Sequence, residues 1–95
     1  MRAGHLGVRA QMTVLGWSDF VSACGPRFDD CANREELVLA CAGDTEIACA
    51  VYFHAGEHSL AWLASPVPAL QGRSPLETLA AGRGDELRKV LLRMP

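Results

Sequence analysis

No apolar run in this 95-residue chain is longer than seven residues, the longest being Ile47–Phe53. A membrane-spanning helix needs about 20, so none is expected. Neither sign of charge dominates: nine Lys and Arg face eleven Asp and Glu, a net charge of −2. A strongly basic nucleic-acid binder, which draws its affinity from many phosphate contacts, is excluded on that balance. Arg2, His5 and Arg9 are not followed by an apolar stretch, so no secretory signal is read. No two cysteines have the C-x-x-C spacing. Cys24, Cys31, Cys41 and Cys49 are separated by six, nine and seven residues, which gives a zinc knuckle no support. Without a secretory signal, all four are expected to be reduced thiols of a cytoplasmic protein.

What remains has ordinary globular composition, 49% hydrophobic and 21% charged. A chain this short buries roughly 60–65% of its extended surface on folding. That is enough for a small core but not for a deep catalytic cleft. The expected fold class is all-α: a small helical domain over 33–95, preceded by a short irregular N-terminal segment, 1–32.

Glycines interrupt the first third. Short helices are expected around Leu6–Leu15 and Ser18–Cys24, although Thr13-Val14-Leu15 fits the start of a strand equally well. Gly25-Pro26 is expected to stop the second helix and to open a loop over 26–32. Asn33, with Glu36 three residues on, has the spacing of a helix start. Leu37, Val38, Cys41, Ala48, Val51, Tyr52 and Ala55 then recur at helical spacing, with a gap at Gly43-Asp44-Thr45. That gap predicts one weakened helix, or two with Asp44 capping the second. Gly56 is expected to end this region.

The last third has firmer punctuation. Glu57–Ala64 reads as a short helix carrying Leu60, Trp62 and Leu63, stopped by Pro66 and Pro68. Ser74-Pro75-Leu76-Glu77 is a full helix-start signal, and the helix is expected to run through Leu76, Leu79 and Ala80 and to stop at Gly82. Asp85 is a candidate cap for a closing helix whose apolar stripe is Leu87, Val90, Leu91 and Met94. Glu86, Lys89 and Arg93 lie on its opposite face.

Few residues carry a chemical signature. His54-Ala55-Gly56-Glu57-His58 spells H-x-x-E-H, the order of an inverted zincin. That site needs an unbroken helix to turn both histidines to one metal, and Gly56 sits inside the pattern. The reading preferred here is a solvated helix end, with His54 near a C-terminal dipole. Cys49 and His54 are five apart and face different ways on a helix. Cys41 and Cys49 fall on the apolar stripe and read as core. No phosphate-binding glycine loop follows a strand. The stretch Ser18–Cys24 holds no Arg, Lys, Asn or Gln to read base edges, and it carries Asp19 where phosphates would lie. No catalytic residue, metal ligand or cofactor is assigned.

Residues from about His58 to Met94 carry an ordered series of short motifs. These are Ala61-Trp62-Leu63-Ala64-Ser65-Pro66, then Ala69-Leu70-x-Gly72-x-Ser74-Pro75-Leu76-Glu77-x-Leu79, then a glycine-rich break and the closing helix. The series resembles the toxin-binding domain of Xre/MbcA/ParS-type antitoxins. It spans about two-fifths of the chain. The helical region Arg34–Phe53 fits the same family in position and character.

The resemblance implies a non-enzymatic antitoxin of a type II toxin–antitoxin system, whose partner is a RES-domain toxin that consumes NAD. Trp62, Leu63, Pro66, Leu70, Gly72, Pro75, Leu76 and Leu79 occupy the motif, and most are expected to be structural, with Trp62 largely buried. Arg88, Lys89, Leu92 and Arg93, on the closing helix, are the expected toxin-binding residues. Many members of the family dimerise and bind DNA through an N-terminal helix-turn-helix. Here 1–32 would be a degenerate remnant of that module. Two alternatives accompany the antitoxin reading. One is a DNA-binding transcriptional regulator of the same family. The other is a decayed antitoxin acting only as a helical interaction module.

Overall fold

The structure is a computed structural model and describes residues 14–94. It is all-α. Helix α1 is Trp17–Phe28, α2 Arg34–Ala40 and α3 Thr45–Ala55. A 3-10 turn at Gly56–His58 leads into α4, Ser59–Leu63. A second 3-10 turn at Pro68–Leu70 precedes α5, Pro75–Ala80, and α6, Gly84–Arg93. The expected helix at Leu6–Leu15 falls largely outside the described residues, as does Thr13. Val14–Gly16 forms a turn into α1.

Helix α3 is the centre. Ile47, Ala48, Cys49, Ala50 and Val51 are all buried on it. A helix apolar nearly all round must be covered on several sides, and α1, α2, α4 and α6 supply that cover. Trp17, Cys24 and Phe28 of α1 join Leu37, Cys41, Leu63, Leu70, Leu87 and Leu91 in one core cluster. The core therefore runs across the expected boundary between residues 32 and 33.

Helix α1 corrects one expectation. It does not stop at Gly25-Pro26 but continues to Phe28 with Pro26 inside it. Proline clashes with the Cβ of the residue before it, and Gly25 has none. The carbonyl left without a donor belongs to Ser22, an exposed residue, so water can serve it. Cys24 and Phe28, both buried, hold this last turn against the core.

The gap at residues 43–45 is a true break. Ala42 (φ 62°) and Gly43 (φ 83°) both take the left-handed conformation, and such a pair ends a helix. Asp44 then caps α3, its Oδ1 accepting from the Ile47 N–H at 3.0 Å. Asn33 stands at the cap position of α2 but makes no cap bond. Its Oδ1 accepts instead from the Cys31 thiol at 3.3 Å.

Candidate functional site

The motif region folds as one continuous unit leading into α6. Leu63, fully buried, closes α4. The chain then turns over residues 65–73. The Val67 N–H donates to the Arg73 carbonyl at 3.0 Å, and the Gly72 N–H to the Val67 carbonyl at 3.1 Å. Gln71 (φ 61°) and Gly72 (φ 80°) are both left-handed here, a conformation that costs glycine little. Leu70 plugs this turn into the core and the Pro68–Leu70 turn packs on α6.

Helix α5 starts with a reciprocal cap. The Glu77 N–H donates to Ser74 Oγ at 3.1 Å, and the Ser74 N–H to Glu77 Oε1 at 2.8 Å. Pro75, at the first helical position, is buried.

Trp62 is partly buried and packed against the core, and its neighbour Leu63 is fully buried. Leu76 is 37% exposed. The inward position of α5 is taken by Thr78, whose hydroxyl donates to the Ser74 carbonyl at 3.0 Å. A threonine there reads as surface unless that backbone bond is known. Leu79 is partly buried and packed on the core, Ala80 and Pro66 are exposed.

Helix α6 keeps its apolar stripe inward. Leu87 and Leu91 are fully buried, with Val90 and Met94 partly so. The helix begins at Gly84, one residue before the expected cap Asp85, and that carboxylate instead accepts from Arg88 at 2.8 Å. The four expected toxin-binding residues divide. Lys89 and Arg93 are exposed on the outer face. Leu92 leans on the core. Arg88 is turned inward, 23% exposed, and bound to Asp44 as well as Asp85. Its guanidinium also lies 5.8 Å from the centre of the Trp17 ring. Trp17 in turn donates to Glu46 Oε1 at 2.9 Å. Arg88 thus ties α6 to the starts of α3 and α1, which leaves it little freedom to meet a partner.

The H-x-x-E-H residues do not converge. Gly56 ends α3 between them. His54 Nε2 lies 2.8 Å from the Leu91 carbonyl, and its ring stacks on Phe20 at 5.6 Å. Glu57 and His58 are exposed and 3.6 Å apart. Among the described residues no three His, Cys, Asp or Glu side chains gather at one point.

The cysteines are all buried and free. Burial pushes the Cys41 thiol up to about 12, the Asp44 charge adding to it. Burial likewise raises Cys49 to about 11. Cys24 is raised by burial, with a hydrogen bond from Cys49 opposing. Thiols this hard to ionise are poor nucleophiles.

Elsewhere, a shallow groove of about 460 Å³ runs between α1 and α2, lined by Phe28, Arg34, Glu35, Val38, Leu39 and Thr45. Leu39 on its rim is 77% exposed. Among the described residues no single helix is long and apolar enough to cross a membrane.

Comparison with protein-family models, with curated proteins and with solved structures finds no match to this chain.

Proposed function

We propose that this chain is an antitoxin of a type II toxin–antitoxin pair, acting without catalysis by binding a RES-domain toxin and covering the site where that toxin consumes NAD. The observation that carries the proposal is the ordered motif series from Ala61 to Leu79 followed by an amphipathic closing helix. The geometry supports it in two ways. Leu63, Leu70 and Pro75 are buried, which suits a scaffold that presents α6. Lys89 and Arg93 stand one turn apart on the outer face of α6, in no ion pair with a described residue. They form the rim of a contact surface, and exposed arginines are frequent energetic anchors in protein interfaces. Arg88 drops out of that surface and becomes part of its support.

The test is genetic and direct. The reading frame beside this one is expressed under tight control, with and without this chain, while growth and cellular NAD are followed. The proposal expects arrest with NAD loss from the neighbour alone, and rescue of both by this chain. Arrest with NAD loss that this chain does not relieve refutes it. Salt-sensitive binding to its own promoter without any toxin partner would favour the regulator instead.

A further inference from the structure

The last four carbonyls of a helix have no donor within it, and a neighbour must serve them if the end is to stay wound. In α6 the Val90 carbonyl is served by the Met94 N–H at 3.1 Å. The next, Leu91, would take its donor from residue 95, which is proline and has no N–H. His54 occupies that vacancy from 37 positions away, its Nε2 lying 2.8 Å from the Leu91 oxygen. A carbonyl oxygen only accepts, so Nε2 carries the hydrogen. The imidazole is set in place by stacking on Phe20 at 5.6 Å and by an edge contact with Phe53 at 5.4 Å.

We infer that His54 is a positioning residue: its Nε2–H caps the end of α6 and so holds the final turn, with Leu92 and Arg93, in the orientation a partner meets. That the turn faces a toxin rests on the function proposed above. That His54 holds the turn does not.

Two substitutions separate the donor from the ring. His54→Phe keeps an aromatic on Phe20 and removes the donor. His54→Gln keeps an N–H at similar reach and removes the ring. Backbone amide hydrogen exchange of the purified chain reads the outcome residue by residue. One uncapped carbonyl corresponds to about a five- to tenfold change in local opening. The Arg93 and Met94 amides should exchange about that much faster in His54→Phe, with α3 and α1 amides unchanged, while His54→Gln stays near the parent. Unchanged exchange at Arg93 and Met94 in His54→Phe overturns the inference. So does equal acceleration in both variants, which would assign the effect to ring packing. If either variant fails to fold, His54→Leu, which also lacks a donor, must show the same local acceleration, and its absence overturns the inference.

Toxin binding by the same proteins is the second readout. If the parent binds a RES-domain toxin, His54→Phe should weaken it about tenfold and His54→Gln by less than about threefold. Equal affinity of all three removes the positioning role. Accelerated exchange with no toxin binding by the parent leaves the cap standing and refutes the function.

Discussion

Arg88 on α6 and Asp44 at the start of α3 form an ion pair across 44 positions of sequence. Asp44 uses its other oxygen to cap α3 through the Ile47 N–H. One carboxylate thus starts the central helix and anchors the closing one. Both side chains are about a quarter exposed, 23% and 26%, so water screens the pair less than on an open surface.

Arg88→Ala should therefore cost about 2 kcal/mol, the range for hydrogen bonds to charged groups. For a domain of this size that lowers Tm by roughly 10 °C. Thermal unfolding followed by circular dichroism measures it. A fall of under about 2 °C would mean that the pair is solvent-screened and α6 is held by Leu87 and Leu91 alone.

The caps should sort by geometry rather than by residue type. Asp44→Ala and Ser74→Ala each remove an observed cap bond and should each cost about 1 kcal/mol or more. Asn33→Ala removes no cap bond and should cost under about 0.5 kcal/mol. Denaturant midpoints of the three variants are the measurement, and equal losses at all three would contradict the assignment.

At the motif tryptophan, the neighbour should matter more. Leu63 is fully buried, so Leu63→Ala should cost about 3 kcal/mol through lost transfer energy and a cavity. Trp62 is partly buried at the edge of the core, and Trp62→Ala should cost less, about 1–2 kcal/mol. Chemical denaturation decides the order, and a greater loss at Trp62 would place its ring inside the core.

The buried thiols predict a dependence on alkaline pH. An unfolded cysteine loses its proton around 9.0, whereas folded Cys49 holds it to about 11 and Cys41 to about 12. Between those values the folded state binds more protons, so stability falls as pH rises. Below about pH 9 the contribution is complete and constant. Each thiol adds a slope of up to about 1.4 kcal/mol per pH unit. Denaturant midpoints from pH 8 to 11 should fall, and fall less steeply in Cys41→Ala. A variant slope equal to the parent's would mean that Cys41 ionises normally.

The sequence exposed the parts of the fold that are local. The reciprocal cap at Ser74 and Glu77, the break and cap at Gly43-Asp44, and the inward stripe of α6 all depend on residues within a few positions of each other. What it concealed is held by distance. Pro26 reads as a stop because its tolerance depends on Phe28 being buried against α3. Leu76 is 37% exposed while Thr78 is buried, and the spacing of Leu76, Leu79 and Ala80 does not show which face of α5 the rest of the fold covers.

The candidate site follows the same division. Lys89 and Arg93 lie outward as the helical period requires. Arg88 reads as another surface cation until Asp44 and Trp17 are brought beside it. His54 carries a metal-like spelling, and only the Leu91 carbonyl, 37 positions on, gives it a different role. Neither partner is predictable from spacing, because each contact depends on how α6 crosses α3.

Inhibition of a toxin by binding, as proposed, is tested most directly by titrating the purified product of the adjacent reading frame with this chain while following NAD. Binding of the proposed kind predicts that NAD loss falls in proportion to added chain and stops at a fixed stoichiometry. In Lys89→Glu/Arg93→Glu, which should fold as the parent does, inhibition should weaken at least about tenfold. NAD loss that continues unchanged with the chain in excess would contradict the claim.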